Sequence, residues 1–114
     1  MSQDQIALLV SELTNCVANF HKRFGFEGAA SRQDLLNRIP IQDEEVRELR
    51  DAILGESPDR VASEAADVLF VAIGTMLRLD PELSISAIHE VITKNDAKTW
   101  ETHYIDDAGK ISRR

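Results

Sequence analysis

Apolar residues in the first fifth of the chain, Ile6, Leu9, Val10, Leu13, Val17 and Phe20, recur at the spacing of one face of an α-helix. This pattern predicts a first helix from about residue 4 to residue 24, ended near Gly25, with Ser2-x-x-Gln5 as its capping box. Residues 25–30 read as a loop, and a short helical stretch around 32–38 stops before Pro40. A second main helix covers about 42–54 and is closed by Gly55 at a C′-like position. Ser57-Pro58 has the chemistry of an N-cap followed by a first helical proline, so a third helix starts there and continues to about residue 79. Asp80-Pro81 restarts the chain into a fourth helix reaching about residue 98, and residues 103–111 form a short hairpin around Asp107-Ala108-Gly109. The fold class is all-α, in one domain spanning residues 1–114.

The third helix is apolar nearly all round: Val61, Ala65, Val68, Leu69, Val71 and Leu77 spread over the whole cylinder. Such a helix is buried on most sides, and three other helices from one chain are few to cover it. Ala62, Ala66, Ala72 and Gly74 would admit another backbone closely, so a homo-oligomeric bundle is expected. Two acids, Glu64 and Asp67, interrupt this run, and no Lys or Arg lies between Val61 and Met76 to neutralise them. Buried charges need partners.

A second acidic pair, Glu45-x-x-Glu48, stands on the preceding helix. Residues three apart on a helix share a face, with Cβ atoms about 5–6 Å apart, so two such helices side by side would make a cup of carboxylates. Carboxylate oxygens suit a hard divalent cation, and Mg²⁺ is commonly completed by water and substrate phosphates. The alternative is that the pairs are ordinary solvated helix faces, as in a non-catalytic helical binding or dimerisation module; metal titration separates the two.

Composition narrows the choice. The formal net charge of −7 argues against a nucleic-acid polymer or an anionic membrane as partner. A polyanionic substrate would have to enter with metal ions. The start of the chain carries no basic stretch followed by an apolar one, and no apolar run reaches the ~20 residues of a membrane span, so a soluble, cytoplasmic protein is expected. Cys16, the single cysteine, falls on the apolar face of the first helix, where a small buried hydrophobe is the expected role.

The residues Glu44-Glu45-Val46-Arg47-Glu48, Glu64-Ala65-Ala66-Asp67 and Lys94-Asn95-Asp96-Ala97-Lys98 resemble the shared pattern of the all-α NTP pyrophosphatases. These are the MazG-like proteins with their relatives, the dimeric dUTPases and phosphoribosyl-ATP pyrophosphatase. The resemblance spans about residues 20–110, and Phe20-His21-Lys22-Arg23-Phe24-Gly25 is similar to a branch of small MazG-like proteins. It implies a four-helix MazG-like bundle with a dimer as its basic unit. It also implies attack of water on the α-phosphorus of a nucleoside triphosphate, giving the monophosphate and pyrophosphate. The substrates expected are dNTPs or non-canonical NTPs, in a nucleotide-pool house-cleaning role; the alternative enzyme is phosphoribosyl-ATP pyrophosphatase.

On this reading Glu45, Glu48, Glu64 and Asp67 are the metal ligands for Mg²⁺, with Mn²⁺ as a possible substitute, and Glu44 or Glu45 is the catalytic carboxylate. Glu44 lies about 100° round the helix from Glu45 and is also explained as an exposed acid near a helix N-terminus. Lys94 and Lys98 would present cations to the phosphates and Asn95 an amide to the sugar or base, although lysines in a last turn also simply favour the helix dipole. His21 is either a surface residue or a contact to the base. Phe24, Phe26 and Trp100 are available for stacking, with core packing the expected role of Phe24.

Overall fold

The computed structural model describes residues 2–114. Four helices follow one another, α1 (Ser2–Arg23), α2 (Arg32–Gly55), α3 (Pro58–Arg78) and α4 (Pro81–Asp96), and the chain closes in a hairpin of β1 (His103–Ile105) and β2 (Ile111–Arg113). The all-α class expected from the periodicity is what the chain adopts. Residues 1–81 form one compact unit and residues 82–114 a second.

In the first unit α3 is central, packed against both α1 and α2. Arg38 of α2 meets Val71 and Thr75, whereas Glu48 of α2 meets Glu64. Rising number on one helix meets falling number on the other, so α2 and α3 run antiparallel, as the short turn between them requires. Val17, Ala52 and Val71 are the buried apolar residues of the described chain. Beside them, His21, Glu64 and Arg78 are buried too.

Several local expectations are corrected. The stretch at 32–38 and the helix at 42–54 are one helix, because α2 runs through Pro40. Proline inside a helix costs about 3 kcal/mol through its missing N–H and its ring. Two features of α2 offset this. Ser31 and Asp34 form a reciprocal capping box at its start, and Arg38, two residues before the proline, donates from Nη2 to Val71 O at 2.9 Å and from Nε to Thr75 Oγ1 at 3.0 Å. Ser2 lies inside α1, so it does not cap it from outside. Gly55 is the last residue of α2, followed by Glu56 as an extended cap, and is not a left-handed C′ glycine. Gly25, with φ +81°, does provide the left-handed stop after α1. Ser57 caps α3 with Pro58 behind it as expected, and α4 ends at Asp96, leaving Lys98 in the following turn.

The apolar stripe of α1 is realised only in its C-terminal half. Val17 is fully buried, but Ile6 and Leu9 are 62% and 60% exposed. The reason is geometric: among the described residues the backbone of α1 packs on α3 and on no other helix of its unit. Cys16, expected inside, is exposed for the same reason. Phe24, expected in the core, is likewise exposed, with its ring 5.0 Å from Phe20.

In the second unit the hairpin is antiparallel, with His103 opposite Arg113, Tyr104 opposite Ser112 and Ile105 opposite Ile111. Its turn is shaped by Asp106, whose carboxylate accepts from the amides of Ala108 (3.0 Å) and Lys110 (2.9 Å) and from the Ser112 hydroxyl (2.7 Å). Gly109 supplies the left-handed residue, φ +82°. Among the described residues no helix is long and apolar enough to cross a membrane.

Candidate metal and phosphate site

One oxygen each from Glu45, Glu48 and Glu64 lie within 4.8 Å of one another. The i, i+3 spacing sets Glu45 and Glu48 on one face of α2, and the antiparallel pairing brings Glu64 of α3 opposite them. Glu64 is 4% exposed, and neither its Oε2 nor the Oε2 of Glu45, both buried, has a hydrogen-bond partner. Two orphaned buried carboxylate oxygens are costly.

The like charges also disturb one another. Burial, then the negative charges of Asp67, Glu64 and Glu44, push Glu45 above the ordinary glutamate value. Burial, then Glu45, Glu64 and Glu44, do the same to Glu48. Asp67 is exposed and stands outside the triad, but its charge is felt at Glu45. Three of the four expected ligands therefore converge, with the fourth beside them. Glu44 is exposed and acts on both α2 glutamates through its charge.

One residue escaped the sequence reading. Arg60, a turn before Glu64 and one residue before the cation-free run that starts at Val61, makes a close ion pair from Nη2 to Glu64 Oε1 and a second contact, 3.3 Å, from Nε to Glu56. The signal was present as an Arg-x-x-x-Glu pair one turn apart. Arg60 satisfies one oxygen of Glu64 and leaves the other without a hydrogen-bond partner. Arg60→Gln is expected to lower the melting temperature of the metal-free protein and to enlarge the rise that Mg²⁺ produces, since the cation then becomes the only counter-charge to Glu64. Thermal melts in chelator and in millimolar Mg²⁺ check this; an unchanged Mg²⁺ effect would detach Arg60 from the cluster.

His21, offered by the sequence to the surface or to a base, is 6% exposed at the α1–α3 contact. Its ring lies edge-on to Phe26 at 6.3 Å and against Gly74. Burial, then the positive charges of Arg38 and Arg78, hold it below the ordinary histidine value, so it is neutral at neutral pH. Arg78 is buried as well; it donates to Gly28 O at 3.1 Å, approaches Asp34 at 3.5 Å and lies over the Phe26 ring. These bonds pin the loop between α1 and α2 to the end of α3. Gly74 thus receives side chains from α1 and α2 rather than the backbone of another helix.

Lys94, Asn95, Lys98 and Trp100 all belong to the second unit. Lys94 is in the last turn of α4, and the Asn95 amide donates to Val91 O at 2.7 Å. Lys98 and Trp100 follow in the turn before β1, exposed.

The profile of the MazG nucleotide pyrophosphohydrolase domain matches residues 33–103, more than half of the chain and all of the acidic triad. No curated protein and no solved structure matches the chain.

Proposed function

Because this chain belongs to the MazG nucleotide pyrophosphohydrolase family, we propose that it hydrolyses nucleoside triphosphates between the α and β phosphates with Mg²⁺ held by Glu45, Glu48, Glu64 and Asp67. The observation that carries the metal assignment is the pair of orphaned oxygens, Glu45 Oε2 and Glu64 Oε2, within a cluster of carboxylates. An all-oxygen donor set fits a hard cation, and Mn²⁺ would substitute. When bound, the cation supplies charge neutralisation at the phosphates and a more acidic water.

The chain's own groups have separable parts. The attacking water loses its proton to a carboxylate, assigned to Glu44 or Glu45, as its oxygen bonds to the α-phosphorus. The bond from that phosphorus to the bridging oxygen breaks, and pyrophosphate leaves with the electron pair. No protein nucleophile is needed, because positioning and electrostatics dominate phosphoryl transfer. Lys94 and Lys98 are assigned to the phosphates and Asn95 to the sugar or base, since an amide and a cation are poor ligands for a hard divalent ion. His21, buried and neutral, is assigned to holding the α1–α3 contact.

We assign dNTPs and non-canonical triphosphates as substrates within this class. A homo-oligomer with a dimer as its unit is part of the same proposal, supported by exposed apolar residues such as Ile6, Leu9, Ile53 and Leu54. Pyrophosphate release across a panel of nucleotides, with and without Mg²⁺, is the test. Release that needs Mg²⁺ and yields monophosphate is expected; orthophosphate as the product, or none with any nucleotide, would overturn the reading.

A further inference from the structure

The second unit contains a cavity that the acidic site does not explain. It measures about 430 Å³ and is lined by Asn95, Lys98, Trp100, His103, Tyr104 and Ile111, with Thr99 and Ile105 completing the wall. That volume lies within the range of small-molecule sites, whose walls are mostly apolar and aromatic with a few polar groups at their edges. All the lining residues come from residues 95–111, so the cavity belongs to this unit alone.

Its frame is held by hydrogen bonds. His103 N donates to Thr99 O at 2.8 Å, Arg114 N to Thr102 O at 2.9 Å, and Lys98 N to Asn95 O at 3.2 Å. Arg114 also donates from Nε to Trp100 O at 2.7 Å, with its guanidinium 5.8 Å from the Tyr104 ring centre. One arginine thus ties the tryptophan segment to the tyrosine. The polar edges retain capacity: Asn95 spends its amide nitrogen on Val91 O and keeps its oxygen as an acceptor, and His103 engages Nδ1 with Thr102 Oγ1 at 2.7 Å and keeps Nε2.

We propose that this cavity is the nucleobase subsite, with Trp100 and Tyr104 as aromatic surfaces for the base and His103 and Asn95 reading its edge. This rests on the reading of the chain as a nucleotide pyrophosphohydrolase and adds His103 and Tyr104 to it as specificity-determining residues. Aromatic side chains suit any base because every base has a π-face, and Lys98 adds a cation to the wall.

Trp100 is the single tryptophan of the chain, so its fluorescence reports on this cavity alone. The four common deoxynucleosides, which carry no phosphate, are titrated into the full-length protein in chelator, with inorganic pyrophosphate as a parallel probe. Nucleosides should quench or shift Trp100 emission, and more strongly than pyrophosphate does. Tyr104→Leu should weaken nucleoside binding by about tenfold or more, Tyr104→Phe should retain it, and circular dichroism of both variants reports folding. Because no turnover or metal is involved, the result is independent of the activity assay. Emission unmoved by millimolar nucleoside, in protein that releases pyrophosphate from a triphosphate, would overturn the subsite, as would a response to nucleosides no larger than that to pyrophosphate. Quenching by nucleosides in a protein without pyrophosphohydrolase activity would sustain the subsite and remove the reaction.

Discussion

Glu64→Gln should lower Mg²⁺-dependent pyrophosphate release by about a hundredfold or more, the kinetic equivalent of roughly 3 kcal/mol of lost stabilisation. The helical circular dichroism should remain intact. The substitution keeps the shape of a buried side chain but removes the charge that faces both Glu45 and Glu48. Folding and activity should therefore separate. The pH dependence carries the sign of the same repulsion. Glu45 and Glu48 bind protons more tightly when folded than when unfolded, so their contribution to stability is full below the ordinary glutamate range, about pH 4.3, and is lost as pH rises through the raised values. The Mg²⁺-induced rise in melting temperature should accordingly be small near pH 4 and grow towards neutrality, where the cation no longer competes with protons. In Glu64→Gln this growth should be much reduced. Near wild-type release by the variant, or a Mg²⁺ effect independent of pH, would remove Glu64 from the metal site.

Gly74→Ala should destabilise the first unit by about 1–3 kcal/mol, the usual cost of overfilling a packed contact. It should do so despite the roughly 0.5–1 kcal/mol that alanine gains over glycine inside a helix. A methyl group there would lie 2.6 Å from Arg38 Nη2 and 3.1 Å from His21 Nε2. The guanidinium cannot retreat freely, because it holds Val71 O and Thr75 Oγ1 and thereby α2 against α3. Thermal melts of Gly74→Ala, Arg38→Ala and the double variant check the mechanism. The double variant should be more stable than the two single losses predict, since removing Arg38 makes room for the methyl. A Gly74→Ala protein as stable as the wild type would show that the contact yields cheaply.

What the linear pattern determined by itself is local. Helix periodicity, Ser57-Pro58 at the head of α3, Gly25 behind α1 and Asp107-Ala108-Gly109 in the hairpin turn act over a few residues, and each lies where spacing and turn chemistry put it. The acidic pairs were legible for the same reason, since an i, i+3 pair shares a helix face whatever the helix packs against. Tertiary structure decided the rest. Pro40 passes through α2, and the bonds from Arg38, just before it, to distant residues of α3 offset the break that local propensity predicts. His21 is neutral because the contact with α3 buries it and because two arginines, 17 and 57 positions away in the chain, arrive beside it. Glu64, not its apolar neighbours Leu69 or Leu77, is a deeply buried side chain of α3, because only the face turned to α1 and α2 is covered. Periodicity names the faces of a helix, but which face is covered depends on the elements that pack on it, and that is settled by contacts between residues far apart in the chain.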